Sequence, residues 1–138
     1  MNRNINVAIG TDGPASNNCL DMFREMFLVT GLAKVREMDA SVVDASQVLL
    51  AATKGGAKAM GLQQCMDLSA GSYADLTVIN LHKPNMQPEN NLVKNLVYSG
   101  SRQNVKMTMI GGKILYRDGK FFVGEDPADI YKETEKIV

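Results

Sequence analysis

A chain of 138 residues, 45% of them hydrophobic, is long enough for one domain of ordinary size with a substantial core. Its 15 lysines and arginines balance 15 aspartates and glutamates, so charge gives no reason to expect binding to nucleic acid or to an anionic membrane. No run of about 18 apolar residues offers a membrane-spanning helix. Residues 1–4 lack the apolar core of a signal peptide, and two cysteines make no disulfide framework. We therefore expect a cytoplasmic protein in which Cys19 and Cys65 are reduced.

The first predicted element is a short strand followed by an acidic turn. Val7–Ile9 is a brief apolar run of the kind found in a buried parallel strand. Gly10, Gly13 and Pro14 end it, which leaves Asp12 at the end of the strand. In an α/β barrel, catalytic groups project from that end of a strand.

A helix is predicted next, with Ser16, Asn17 or Asn18 as its cap. Its apolar residues fall at helical spacing and are expected in the core: Met22, Phe23, Met26, Phe27 and Val29. The helix is expected to end near Gly31 or to continue toward Val35.

A second helix is predicted from Ser46 to Met60, and Asp44 with Gln47 has the form of a capping box. Its predicted inner face consists of Val48, Leu49, Ala52 and Ala59. Gly55-Gly56 in its middle costs about 1 kcal/mol per glycine relative to alanine, so we expect close approach of another backbone there. A phosphate-binding loop at these glycines is the less favoured alternative, because the spacing is not that of a P-loop.

Beyond residue 68 the pattern becomes alternating, as in strands. A strand is predicted from Asp75 to Leu81, and Val93–Ser99 fits either a strand or a short helix. Val105–Met109 alternates and leads into two turns, Gly111-Gly112 of type I′ and Asp118-Gly119. The remaining elements are strands at 113–117 and 120–123 and a helix at 128–138 with Ile130, Tyr131 and Ile137 as candidate contacts.

Several of these motifs together resemble a known family. Gly10-Thr11-Asp12-Gly13, followed by Ala15–Asn18 and Leu20–Met22, resembles the last barrel strand of the metal-dependent amidohydrolases. More narrowly it is similar to the branch with S-adenosylhomocysteine/methylthioadenosine deaminase, guanine deaminase and the triazine hydrolases, which include chlorohydrolases. The likeness continues in order through these segments: Ala51–Thr53, Gly56-Ala57, Met60–Leu62, Gly71, Ala74–Leu76, Leu96–Tyr98 and Ile110–Lys113.

The resemblance is to the C-terminal third of these enzymes, and it implies a composite fold. It implies a C-terminal piece of a TIM-like (β/α)8 barrel followed by part of a flanking β-sandwich. Residues 1–67 would hold the last barrel strand and the helices after it, residues 68–125 part of the sandwich, and residues 126–138 a C-terminal helix. A complete barrel needs roughly 250 residues, so only a piece fits here.

The resemblance also implies a chemistry, the hydrolytic deamination or dechlorination of a nitrogen heterocycle. A bound Zn²⁺ or Fe²⁺ would activate water, and Asp12 would contact the metal and carry the proton. Ser16 and Asn17 would lie beside the pocket and orient Asp12 or the substrate. Taken by residue type alone, Asp12 is instead a turn aspartate that accepts from nearby backbone amides.

This chain departs from the family pattern in its histidine content, because the family's other metal ligands are histidines. This chain has one histidine, His82, which matches no ligand position and is expected on the surface. Because a catalytic zinc site needs three or more protein ligands, the chain alone is expected to be inactive and to hold no catalytic metal.

Three interpretations remain open for the role of the chain. The favoured one is an amidohydrolase fragment whose parent acts on a small heterocycle. The others are one half of a split enzyme and a free-standing, non-catalytic interaction module. A barrel piece without its neighbours exposes edges and apolar faces, so self-association is also expected, most simply as a dimer.

Overall fold

The architecture combines a group of packed helices with a four-stranded antiparallel sheet, in a computed structural model that describes residues 5–137. Residues 1–4, predicted to lack a signal-peptide core, and Val138, predicted to end the last helix, lie outside the described residues. Among residues 5–137, every helix is too short or too polar to span a bilayer.

The first helix, α1, runs from Met22 to Glu37. Its cap is Asp21, which accepts a hydrogen bond from the amide of Phe23, so the predicted caps at residues 16–18 are wrong. The side chains of Ser16 and Asn17 bond within the preceding turn instead, where Ser16 Oγ donates to Asp12 and Asn17 Oδ1 accepts from the amide of Cys19. The helix passes through Gly31 and ends where Met38 adopts a left-handed φ of 50°.

The second helical segment is continuous but not uniform. It consists of α2 (Ala45–Leu50), one wide π turn (Ala51–Gly55) and α3 (Gly56–Ala59), and Asp44 caps it by accepting from the amide of Ser46. The predicted inner face is right for Val48, which is buried, and wrong for Ala59, which is exposed. Because a π turn adds a residue to the turn, the apolar face rotates, and Ala57 is buried instead.

The segment that carries Asp12 lies against this π turn. The amide of Ile9 donates to the carbonyl of Ala51 at 3.2 Å, and the Asn6 side chain donates to the carbonyl of Gly55 at 3.0 Å. The predicted buried strand at Val7–Ile9 does not form within residues 5–137, and Val7 is 43% exposed. A parallel strand needs neighbouring strands to complete its ladder, and the described part of the chain places none beside it.

The core lies where α1, α2 and the helix α4 (Leu92–Ser99) meet. This assignment settles the open choice at Val93–Ser99 in favour of a helix, and Asn91 caps it by accepting from the amide of Lys94. The buried apolar cluster consists of Met26, Ala45, Val48 and Val97. Ile9 packs against this cluster, which ties the Asp12 segment to the helical core.

The sheet has the order β1-β2-β3-β4 and is antiparallel throughout. Its strands are β1 (Leu76–Ile79), β2 (Val105–Ile110), β3 (Lys113–Arg117) and β4 (Lys120–Phe121). Both predicted turns are present, with positive φ at Gly111 and Gly112 and again at Asp118 and Gly119, as type I′ geometry requires. β1 and β4 are shorter than predicted, and every strand residue is half-buried or exposed.

The last helix, α5, runs from Pro127 to Glu135, with Asp126 as its cap. The predicted contacts at its apolar residues are wrong, because Ile130, Tyr131 and Ile137 are all exposed. Its apolar stripe therefore lies in solvent, and α5 contributes nothing to the helical core.

Candidate active site

Asp12 stands in a tight turn at the end of the segment that packs on the π turn. Its φ is 56°, a left-handed conformation that aspartate tolerates better than most residues. One carboxylate oxygen, Oδ1, accepts from the amide of Gly13 at 2.8 Å, and the other, Oδ2, accepts from Ser16 Oγ at 2.8 Å. The carboxylate is thus oriented by one backbone donor and one side-chain donor.

The same two donors set the charge state of Asp12. The hydroxyl of Ser16 lowers the pKa of the Asp12 carboxyl, and the amide of Gly13 lowers it further, because both donate to the ionised form. The side chain is exposed, so little desolvation opposes this shift. Asp12 is therefore an ionised carboxylate at neutral pH.

Asn17 spans the Asp12 turn from both sides. Its backbone amide donates to the carbonyl of Gly13 at 2.9 Å, and its side-chain nitrogen donates to the carbonyl of Thr11 at 2.8 Å. The same nitrogen donates to Glu25 Oε1 at 2.8 Å, and Asn17 Oδ1 accepts from the amide of Cys19 at 3.1 Å. The structure therefore brings the three predicted site residues Asp12, Ser16 and Asn17 together in one hydrogen-bonded turn.

Glu25 belongs to this arrangement and was not predicted from the sequence. It lies in the first turn of α1 and is half-buried. In the sequence it reads as part of the polar face of a helix, and no pattern indicates that its carboxylate turns back to Asn17. Only the packing of α1 against the preceding turn creates the contact.

The carboxylate of Asp12 suits one position in a metal site, because it is exposed, ionised and a hard oxygen donor. Within residues 5–137, however, no group of three or more His, Cys, Asp or Glu side chains could hold a metal ion. His82 is exposed in the loop after β1, and Cys19 and Cys65 are free thiols, both as predicted. The described residues therefore do not assemble a coordination sphere around Asp12.

A cavity lies near the Asp12 segment but does not include Asp12. It has a volume of about 280 Å³ and is bounded by Ile5 and Val7 on one side and by Leu50 and Lys58 on the other. Its walls are mainly apolar, and it opens widely to solvent. The Asp12 carboxylate therefore does not line this cavity.

Comparison with known proteins decides the family. The sequence model described as "Amidohydrolase family" matches residues 1–115, which is most of the chain. The chain belongs to the amidohydrolase family. Among the similar proteins is the 5-methylthioadenosine/S-adenosylhomocysteine deaminase of Nitratidesulfovibrio vulgaris, which is 42% identical over 136 residues. That alignment covers 99% of this chain and 30% of the deaminase, so this amidohydrolase chain spans less than a third of its relative's length.

Solved structures agree with this assignment. An adenosine deaminase from Xanthomonas campestris, solved with bound zinc, superposes with a TM-score of 0.89 at 36% identity, over 96% of this chain and 30% of that one. The atrazine chlorohydrolase TrzN from Arthrobacter aurescens TC1, complexed with zinc, superposes with a TM-score of 0.79 at 22% identity, over 96% and 30%. The second likeness shows the shared fold alone. The predicted resemblance to amidohydrolases of the deaminase and chlorohydrolase branch is thus confirmed.

Proposed function

We propose that this chain is part of an enzyme that hydrolytically deaminates a nitrogen heterocycle of the adenosine type, with Asp12 as its proton carrier. The observation that carries the proposal is the Asp12 turn, in which an exposed, ionised carboxylate is held by Ser16 and Gly13. Relatives at 42% and 36% identity are named as deaminases of adenosine-type compounds, which favours this substrate class. A guanine-type substrate is the neighbouring alternative within the same chemistry.

In the proposed reaction, a water adds to the ring carbon that bears the amino group, and the bond from that carbon to nitrogen then breaks. A bound Zn²⁺ or Fe²⁺ would lower the pKa of this water enough for it to lose a proton near neutral pH. Asp12 accepts the proton on a carboxylate oxygen and later gives it to the departing amine, which leaves as ammonia. Of the two roles predicted for Ser16 and Asn17, we propose the orientation of Asp12, because both side chains donate within its turn.

Dechlorination is the second reaction of this branch, and we propose it only as an alternative. Chloride leaves without needing a proton, so the return of the proton by Asp12 would have no function there. The chlorohydrolase likeness rests on 22% identity and therefore supports the fold rather than the reaction.

We further propose how the chain fits into the larger fold. Residues 1–67 would belong to a (β/α)8 barrel with Val7–Ile9 as its last strand, residues 68–125 to a flanking β-sandwich, and residues 126–138 to a C-terminal helix. No residue of β1–β4 is buried, which supports this division. A sheet of a sandwich has a buried face only when a second sheet packs against it.

We also propose that the 138-residue chain is inactive alone and needs further barrel residues, whether in the same polypeptide or in a separate one. Support comes from the arrangement of possible metal ligands: no three of them come together within residues 5–137, and a catalytic zinc site takes three from protein. Alone, the chain would self-associate through exposed apolar side chains. Examples are Ile5, which is 70% exposed, Leu32, which is 66% exposed, and Val35, which is 71% exposed. A compact monomer in sedimentation would contradict self-association.

The same exposed apolar side chains would also suit a non-catalytic interaction module.

A chimera tests the catalytic proposal. The matching 30% of the Nitratidesulfovibrio vulgaris deaminase is replaced with this chain, and deamination of 5′-methylthioadenosine is followed. We expect an active chimera that loses at least about 100-fold in kcat on Asp12→Asn, a change that the left-handed turn tolerates. Asp39→Asn is the matched control, since Asp39 is also exposed and also accepts from a serine, Ser41, at 2.7 Å. Full activity of the Asp12→Asn chimera would contradict the proposal.

A further inference from the structure

The carboxylate of Glu25 is connected to the Asp12 turn through a single side chain. Glu25 Oε1 accepts from Asn17 Nδ2 at 2.8 Å, and the same nitrogen donates to the carbonyl of Thr11 at 2.8 Å. Thr11 immediately precedes Asp12. One short hydrogen-bonded path therefore runs from the first turn of α1 to the backbone that carries the proposed proton carrier.

The backbone of Asp12 is one reason why external support matters. Aspartate tolerates the left-handed region better than most residues do, but the conformation still costs free energy that surrounding contacts offset. Its own carboxylate bonds lie within residues 12–16 and could move together with the turn. Asn17 donates to Thr11 on the other side of the turn, and its second N–H donates to Glu25, which belongs to α1.

The hydrogen-bond inventory of Asn17 explains why a carboxylate suits position 25. An amide side chain has two N–H donors and one oxygen acceptor, and in Asn17 the oxygen accepts from the amide of Cys19 at 3.1 Å. The nitrogen must then face two acceptors, one of which is the Thr11 carbonyl. A carboxylate at position 25 supplies the second acceptor and presents no competing donor, so it also fixes which end of the amide faces Thr11.

We infer that Glu25 is a positioning residue for Asp12, acting through Asn17 to hold the Thr11–Asp12 backbone in the orientation that catalysis uses. The inference rests on the proposed function where it concerns catalysis. Its structural half, the coupling of position 25 to the Asp12 carboxylate, stands independently. The two halves are therefore tested by separate readouts.

The first test compares two uncharged variants of the 138-residue chain, Glu25→Gln and Glu25→Leu, by carboxyl ¹³C NMR and by exchange of the Gly13 amide. Glutamine keeps an acceptor oxygen and leucine does not, so the pair separates hydrogen bonding from charge. We expect Glu25→Gln to keep the Asp12 signal and its titration close to those of the parent. Glu25→Leu is expected to shift the Asp12 signal and to raise the exchange rate of Gly13 several-fold.

A control variant and a reserve variant complete this test. Glu37→Leu changes an exposed glutamate at the far end of the same helix and is expected to leave both Asp12 readouts unchanged. Asn17→Ala cuts the same path at its middle and replaces Glu25→Leu if that variant does not fold. Identical Asp12 signals in Glu25→Leu and Glu25→Gln, or an unchanged Asp12 signal in Asn17→Ala, would overturn the inference.

The second test uses the chimera described above. We expect Glu25→Leu to lower kcat about tenfold with little change in KM and to displace the pH profile, and Glu25→Gln to restore both. An inactive parent chimera would count against the proposed function, and the NMR comparison would still decide the role of Glu25. An unchanged kcat and pH profile in an active Glu25→Leu chimera would overturn the catalytic half of the inference.

Discussion

Gly55 and Val7 approach each other so closely that the segment bearing Asp12 fits only because residue 55 has no side chain. A Cβ built on Gly55 would lie 2.2 Å from the carbonyl oxygen of Val7, well inside any real contact. The neighbouring Gly56 has open space where its Cβ would be. The close backbone approach predicted at this pair is therefore real, and it belongs to one glycine only.

Gly55→Ala is expected to displace residues 5–9 from the π turn and to destabilise the fold. The new Cβ would clash with the backbone of Val7, which cannot rotate away as a flexible side chain could. We therefore expect a loss of about 1–3 kcal/mol in the free energy of unfolding. Gly56→Ala is the matched control and should gain about 0.5–1 kcal/mol, because alanine is the better helix residue. Urea unfolding of both variants measures the difference, and equal stabilities would contradict the close-approach interpretation.

Ser16→Ala is expected to raise the pKa of the Asp12 carboxyl toward its ordinary value. The Ser16 hydroxyl is the main cause of the lowered pKa, and the Gly13 amide remains as the lesser one. Carboxyl ¹³C NMR measures the titration directly. Ser41→Ala is the internal control: it should raise the pKa of Asp39, which Ser41 lowers in the same way, and leave Asp12 unchanged. An unmoved Asp12 titration in Ser16→Ala would refute this account of the turn.

Asp67 should give the fold a measurable acid sensitivity. Ser69 and Ser72 donate to its carboxylate, at 2.5 Å and 2.8 Å from their hydroxyls, and lower its pKa from 3.8 to about 2. Because the folded pKa lies below the unfolded value, this stabilisation is present above pH 4 and is lost as the pH falls through 2. Asp67→Asn should therefore be less stable than the parent chain at pH 5, with the difference shrinking toward pH 2. A difference that stays constant with pH would contradict this prediction.

Asn104 is the most consequential buried polar group near the sheet. It is 1% exposed, and its side-chain oxygen accepts from the amide of Ser101 at 2.9 Å and from Asn85 Nδ2 at 2.8 Å. Asn104→Ala removes the acceptor of the Ser101 amide and one of the two acceptors of Asn85 Nδ2, which keeps its bond to the carbonyl of Ser99. We therefore expect a loss of about 1–3 kcal/mol in unfolding free energy. Gln103→Ala, at an exposed neighbouring position, should stay within about 0.5 kcal/mol of the parent chain. Equal unfolding midpoints for the two variants would show that the Asn104 bonds contribute nothing.

The features that the sequence predicts well are those decided by local conformation. Gly111-Gly112 predicts a type I′ turn and Asp118-Gly119 a second turn through their own φ preferences, and the structure has positive φ at all four residues. The sequence alone does not decide between an end of α1 near Gly31 and one near Val35, because glycine weakens a helix without ending it. Packing against the core carries the helix on to Glu37.

Features that depend on distant partners could not be predicted in the same way. Val7–Ile9 has the composition of a buried strand, yet it forms none in the described part of the chain because no neighbouring strand lies beside it. The π turn at 51–55 and the bond from Glu25 to Asn17 have no pattern in the sequence, since each arises from the packing of one segment on another. Asp12 and Ser16 were predicted through the family resemblance, and their contact depends on the left-handed turn at Asp12.

We propose that Asp12 is a metal ligand and proton carrier, and that this chain alone does not supply the other ligands of the metal. The most direct measurement is the zinc content of the purified 138-residue chain after incubation with Zn²⁺ and desalting, beside that of Asp12→Asn. We predict far less than one zinc per chain in both, because no three ligands meet within residues 5–137. One tightly held zinc per monomeric chain, lost on Asp12→Asn, would contradict the account.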